Sequence, residues 1–321
     1  MPCLKKFSLH YTINSMPFTL QPIQAKNALS STYGTNIAVN PYQGCVFACE
    51  FCSAIKMNFF TGRTKRKWDK TGWGEWLDYK TNLVELLHKE KDRVKKSKIY
   101  FGNATDVYMP VERKLKLVPP ILEFFIENPP LELEVQTRGT ARDIERDIPL
   151  LQELSKKTSV LVSYSIHTDR EDVRRIFEPK APALRSRIEG LKMYHKAGIA
   201  TRLSCMPILP LDPENFAAQI APYITRRVWI ASMNHKELTN DLFKKHFPEW
   251  LNENHVETVM KRTIEAFEKR GVSTYYHSLD PKAKQERWAK REAKIENRKS
   301  KVNRKTVEKI VADDVQPSLF D

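Results

Sequence analysis

The sequence predicts an α/β fold, a partial (β/α)6 TIM-type barrel followed by a basic, partly helical C-terminal extension. Three observations carry that prediction. Short runs of β-branched and aromatic residues alternate with amphipathic helical stretches at spacings of about 30–35 residues, the rhythm of βα units that build a parallel sheet. Six such strands can be counted, fewer than the eight of a closed barrel. The polar, Gly-rich or Pro-rich segments follow the strands, where folds of this class keep their chemistry.

The elements run in order as follows. Ile37-Ala38-Val39 leads into a cluster of cysteines. Leu83, Val84, Leu86 and Leu87 share a helical face that fades into the charged residues 89–98. Ile99-Tyr100-Phe101 reads as a buried strand ended by Gly102. A helix over residues 114–127 is entered through Pro119-Pro120, and residues 131–137 alternate as a strand. Residues 149–157 are helical and 159–166 form a strand. Residues 183–197 form a helix closed by Gly198, since glycine enters the left-handed conformation that ends a helix. Residues 199–206, 216–226 and 228–231 continue the alternation, and a last helix over 256–270 stops at Gly271. The loops after the strands are residues 45–52, 102–106, 137–139, 167–169 and 207–212. This divides the chain into an N-terminal extension (1–35), the barrel (36–278) and a basic tail (279–321).

Composition narrows the class. With 41% hydrophobic residues the chain can bury a core, which excludes wholesale disorder. No apolar run approaches the roughly 18–20 residues that span a bilayer. The opening Met1-Pro2-Cys3-Leu4-Lys5-Lys6 lacks the order of a secretory signal, so the expected location is cytoplasmic. The net charge of +15 suggests an acidic partner, nucleic acid first. Residues 281–310 hold twelve Lys and Arg against four Glu. That segment is either a solvated tail or a nucleic-acid-binding arm with Trp288 as a stacking face.

Three of the five cysteines, Cys45, Cys49 and Cys52, follow Asn40-Pro41-Tyr42-Gln43-Gly44 within one loop. Such spacing gathers three thiols around one centre, which suits metal better than a spread disulfide framework. Structural zinc would want a fourth ligand at similar spacing, and none is nearby. Three thiolates suit a 4Fe–4S cluster with one iron left open.

The C-x-x-x-C-x-x-C spacing resembles the signature of the radical S-adenosylmethionine (SAM) enzymes. The resemblance implies that the open iron chelates SAM and that reductive cleavage yields a 5′-deoxyadenosyl radical. A low-potential electron donor is then required. Phe51 matches the aromatic position beside the adenine. Further stretches are similar to the spore photoproduct lyase and DNA repair photolyase-like group: 102–106 (Gly-Asn-Ala-Thr-Asp), 136–139 (Gln-Thr-Arg-Gly), 162–169, 178–182 (Glu-Pro-Lys-Ala-Pro) and 197–211. By that pattern Gly102, Asn103 and Thr105 receive the SAM amino group, while Arg138 and Ser165 hold its carboxylate, with Ser163 a near competitor. The implied substrate is DNA and the implied reaction is reductive repair of a base lesion. The alternatives are radical modification of RNA, a peptide or a small molecule, or a non-catalytic iron–sulfur nucleic-acid-binding protein.

One departure stands out. Spore photoproduct lyase has a hydrogen-donating cysteine just before the Thr/Ser-Asp pair of the second-strand loop, and Asn103 corresponds to it here. Cys205 is then the candidate donor, against the plainer reading of a small buried hydrophobe. Basic residues and Trp68, Trp73 and Trp76 interleave over residues 61–76, a pattern used for single-stranded nucleic acid, although Trp73 also fits a packing role. His167, His195, His235 and His277 read as structural. The final Gln316-Pro317-Ser318-Leu319-Phe320 resembles a sliding-clamp-binding peptide, with Pro317 in place of the usual leucine. Removing residues 281–321 is expected to lower DNA affinity and flatten its salt dependence, by about 0.7–0.9 in slope for each phosphate no longer neutralised. Fluorescence anisotropy across a salt series reads that slope, and an unchanged value would make the segment structural.

Overall fold

The computed structural model describes residues 9–13, 16–31 and 36–277. Cys3 and the whole basic tail, with Trp288 and the peptide Gln316 to Phe320, lie outside the described residues. Strands β1 (Leu9–Ile13) and β2 (Met16–Ile23) form an antiparallel hairpin, followed by β3 (Leu29–Ser31), β4 (Asn36–Val39) and β5 (Tyr42–Gln43). The cysteine loop and a long excursion lead to β6 (Trp76–Lys80). Then come β7 (Lys98–Phe101), β8 (Glu132–Thr137), β9 (Ser159–Ser165), β10 (Ala200–Cys205), β11 (Val228–Ala231) and β12 (Thr274–His277).

An eight-stranded sheet in the order β12-β11-β10-β9-β8-β7-β4-β3 forms the barrel wall. All its pairings are parallel except that of β3 with β4. The six expected strands are present, and β12 adds a further parallel strand beside β11. A smaller sheet, ordered β1-β2-β6-β5, ties the N-terminal hairpin to both flanks of the cysteine loop.

Alternation along the barrel strands separates two environments. Ile99, Phe101, Leu133, Val135, Val160, Val162, Leu203, Val228 and Ile230 are buried beneath the helices. The intervening positions, Tyr100, Glu134, Gln136, Ser163, Arg202, Ser204 and Trp229, form the other face. Parallel register aligns them in rows: Gln136 with Ser163 and Arg202, and Ser165 with Ser204, Trp229 and Tyr275. Helices Val118–Glu127, Ile148–Ser155, Leu184–Lys196, Pro213–Ile220 and Glu253–Glu268 cover the apolar face. Asp212 and Asn252 cap the last two by accepting backbone N–H groups of their first turns, Asn215 N at 2.7 Å and Asn254 N at 2.9 Å. The predicted stops at Gly198 and Gly271 hold φ of +73° and +75°. Among the described residues, no helix is long and apolar enough to cross a membrane.

Gly190 fixes how closely helix Leu184–Lys196 approaches the strands. A Cβ there would collide with the hydroxyl of Tyr164, which itself donates a hydrogen bond to the carbonyl of Gly139 beside Arg138. Helix propensity favours alanine by about 1 kcal/mol, and overpacking costs about 1–3 kcal/mol. Gly190→Ala is therefore expected to lower stability in urea unfolding by up to about 2 kcal/mol. Adding Tyr164→Phe should recover part of the loss, because it removes the atom in the way.

Candidate active site

Beyond β4 the chain turns at Gly44 (φ +87°), where a Cβ would meet the carbonyl oxygen of Trp76 at 2.8 Å. Two tight turns follow, closed by Ala48 N to Cys45 O at 3.4 Å and Cys52 N to Cys49 O at 3.1 Å. Ala48 takes φ of 46° between them. The turns bring all three cysteines to one cavity. Gly102, Asn103, Thr105, Arg138 and Ser165 line the same cavity, at the ends of β7, β8 and β9, together with Asp106, Gln136 and Trp73. Eight of the ten residues expected from the sequence are thus gathered at one place.

The walls are cross-braced. The Thr105 hydroxyl donates to Gly44 O at 2.7 Å, locking the β7 loop to the cysteine loop. Asn40 accepts from Ala104 N at 3.1 Å and donates to Asn103 Oδ1 at 3.1 Å. The buried Asp106 carboxylate accepts from Tyr108 N (2.8 Å), the Thr137 hydroxyl (2.8 Å) and Arg138 N (2.7 Å). Arg138 directs Nη1 to Cys49 Sγ at 2.8 Å and pairs with Glu178. Glu178 is fully buried, and both its oxygens accept from one nitrogen, Arg187 Nη1, at 3.0 and 2.9 Å. Ser163 is occupied by Arg202 (3.4 Å), whereas Ser165 faces the cavity.

Burial, aided by Asp106, pushes the Cys45 thiol up to about 12. Burial also raises Cys49 and Cys52, while the Arg138 guanidinium pulls both down. Iron must therefore displace protons on binding. Among the described residues no three His, Cys, Asp or Glu side chains converge on a single ion. A cubic cluster needs no such convergence, because each cysteine holds a different iron. The donor set, three thiols beside a guanidinium, fits an anionic iron–sulfur group. The buried Trp73 Nε1 has no hydrogen-bond partner among the described residues and stands in the cavity wall, where a polar ligand would satisfy it.

Two expected residues stand apart. Phe51 is buried edge-on to His167, with ring centroids 4.9 Å apart, and does not line the cavity. Cys205 has no solvent exposure and shares its face of β10 with Leu203; its Sγ lies 3.8 Å from His167 O. Those surroundings are those of a packed hydrophobe. Sequence reasoning missed Glu178, Asp106 and Asn40 as site residues, although each lies in one of the motifs named above. For Cys205 the signal was available: Arg202 and Ser204 alternate with Leu203 and Cys205, which assigns the cysteine to the helix side.

A three-cysteine loop on an incomplete parallel barrel, with a cavity at the strand ends, defines a class of iron–sulfur enzyme. Residues 39–218, more than half of the sequence, match the Radical SAM superfamily, and the chain belongs to it. Radical SAM enzymes use a 4Fe–4S cluster and SAM, and those are this enzyme's cofactors. An uncharacterized protein of Methanocaldococcus jannaschii is 28% identical over 241 residues, 74% of this chain and 83% of that protein. An uncharacterized protein of Mycobacterium tuberculosis is 24% identical over 220 residues, 65% of this chain and 63% of that protein. Among solved structures, spore photoproduct lyase complexed with dinucleoside spore photoproduct superposes with a TM-score of 0.57 at 13% identity, over 80% of this chain and 82% of that one. At that identity the likeness is one of fold.

His167 donates from Nδ1 to Pro207 O at 2.8 Å, and burial lowers its pKa to about 4 against the nearby Glu178. The native state thus refuses a proton that the unfolded chain accepts below about pH 6.5. Stability is expected to fall as the pH drops from about 6.5 to 4, by about 3 kcal/mol in all. Thermal unfolding of the parent and His167→Gln across that window measures it, the variant showing the flatter profile. Cys205→Ala is expected to cost about 1–2 kcal/mol in the same assay, as reduced packing.

Proposed function

We propose that this radical SAM enzyme acts on DNA and reductively repairs a base lesion, a reaction of the spore photoproduct lyase type. Cys45, Cys49 and Cys52 hold the cluster and leave one iron for SAM. Bound there, cluster and SAM would supply the radical chemistry of the family by reductive cleavage of SAM. Gly102, Asn103 and Thr105 receive the SAM amino group, and Ser165 and Arg138 orient its carboxylate. Asp106 keeps the Arg138 backbone in place, and Trp73 forms part of the cavity wall. That chemistry would draw on a low-potential electron donor. The basic tail and the peptide from Gln316 to Phe320 tether the enzyme to DNA and to a sliding clamp, outside the barrel unit of residues 36–278.

One observation carries the choice of DNA. Lys65, Arg66 and Lys67 stand exposed, with no ion pair to a carboxylate among the described residues, on the same loop that brings Trp73 to the cavity. Three such cations in succession make that loop attractive to a phosphate backbone. Replacing Cys45, Cys49 or Cys52 by Ala is expected to lower iron content and abolish 5′-deoxyadenosine formation. If Cys45→Ala still made it, the ligand assignment would fail. Anaerobic reconstitution followed by SAM consumption with damaged DNA, RNA and peptide pools tests the substrate. The expected stimulation is by damaged DNA, with repaired base as product; stimulation by peptide alone would overturn the reading.

A further inference from the structure

The row that lines the cavity at Ser165 continues across β10, β11 and β12 as Ser204, Trp229 and Tyr275. Trp229 is held from one side: the Arg202 guanidinium lies 3.6 Å from its ring centroid. Arg202 is itself buried and fixed by an ion pair with Glu134. A buried pair of this kind adds little net stability. What it provides is a guanidinium that cannot swing away, and so an indole that stays in place.

Tyr275 lies next along the row at a ring-centroid distance of 6.0 Å, with the two planes inclined by 54°. The two rings touch at an angle and are not stacked, which leaves a face of Tyr275 to solvent. Tyr275 is 43% exposed, one of five large apolar side chains left exposed among the described residues, and of these it alone belongs to the larger sheet. Flat aromatic faces that are held in place and partly wet, in register with a residue of the cavity wall, bind flat ligands by stacking.

We infer that Trp229 and Tyr275 form a stacking ledge for one unpaired base of a DNA strand, placing that base in line with the cofactor cavity. The inference rests on the DNA reading above and adds to it the place where the target base, or its neighbour, is held. A duplex would have to extrude that base, whereas a single strand presents it directly. Stacking is tolerant of base identity, so the ledge positions and does not select among bases.

The test uses the full-length, anaerobically reconstituted enzyme and a short single-stranded oligonucleotide carrying one 2-aminopurine, whose emission is quenched on stacking. The parent and Tyr275→Phe are expected to quench it alike. Tyr275→Ala, with circular dichroism matching the parent, is expected to lose most of the quenching and to bind about tenfold more weakly by anisotropy. That difference should vanish with an abasic site in place of the 2-aminopurine. Trp229→Phe serves as a second variant that keeps a ring over Arg202 and should weaken quenching less than Tyr275→Ala. If Tyr275→Ala bound and quenched like the parent, the ledge would be refuted while the DNA reading stood. If the parent bound no oligonucleotide, both would fall together.

Discussion

Glu178 carries a charge where no water reaches it, and much of the site is arranged around that fact. Burial alone would raise its pKa, yet Arg187, His167 and Arg138 hold it down to about 2. The carboxylate joins four pieces of chain: helix Glu171–Phe177, which ends just before it; helix Leu184–Lys196 through Arg187; the β8 loop through Arg138; and the cysteine loop, because Arg138 reaches Cys49. Removing one member of such a set leaves a buried charge without its partner, a loss of about 3–5 kcal/mol. A backbone bond from Glu50 N to Phe177 O at 2.9 Å reinforces the same junction.

The barrel itself depends on a division of labour between the two faces of its strands. The outer face is apolar and supplies the packing, and the inner face is polar and supplies the chemistry. Placing Glu134, Arg202, Gln136 and Ser165 inside a closed, apolar-filled barrel would be costly. An incomplete barrel with a cavity at one end can keep them paired or near water.

The division was largely visible in the amino-acid sequence. Ile99-Tyr100-Phe101 and residues 159–166 announce strands through β-branched and aromatic residues, and the three-cysteine spacing announces the site. β12 was missed because Thr-Tyr-Tyr-His lacks an aliphatic run and is held in the sheet by its pairing with β11. The smaller sheet was missed for a different reason: Leu20 pairs with Leu77, a long-range contact that no local pattern records. Glu178 and Asn40 belong to the same category. Each sits in a recognisable motif, but what it touches is decided by loops that meet only after folding.

That smaller sheet bears on how the enzyme is made. β2 leaves the ribosome well ahead of β6, its parallel partner, and β5 reaches its place only by pairing with β6 as well. Closing a loop over such a separation costs entropy before any contact offsets it, which slows folding. The cysteines lie between β5 and β6, so their loop is closed when those two strands pair. Before that pairing the thiols sit on an unclosed stretch of chain, which both iron–sulfur delivery and oxidation can reach; after it they face one cavity.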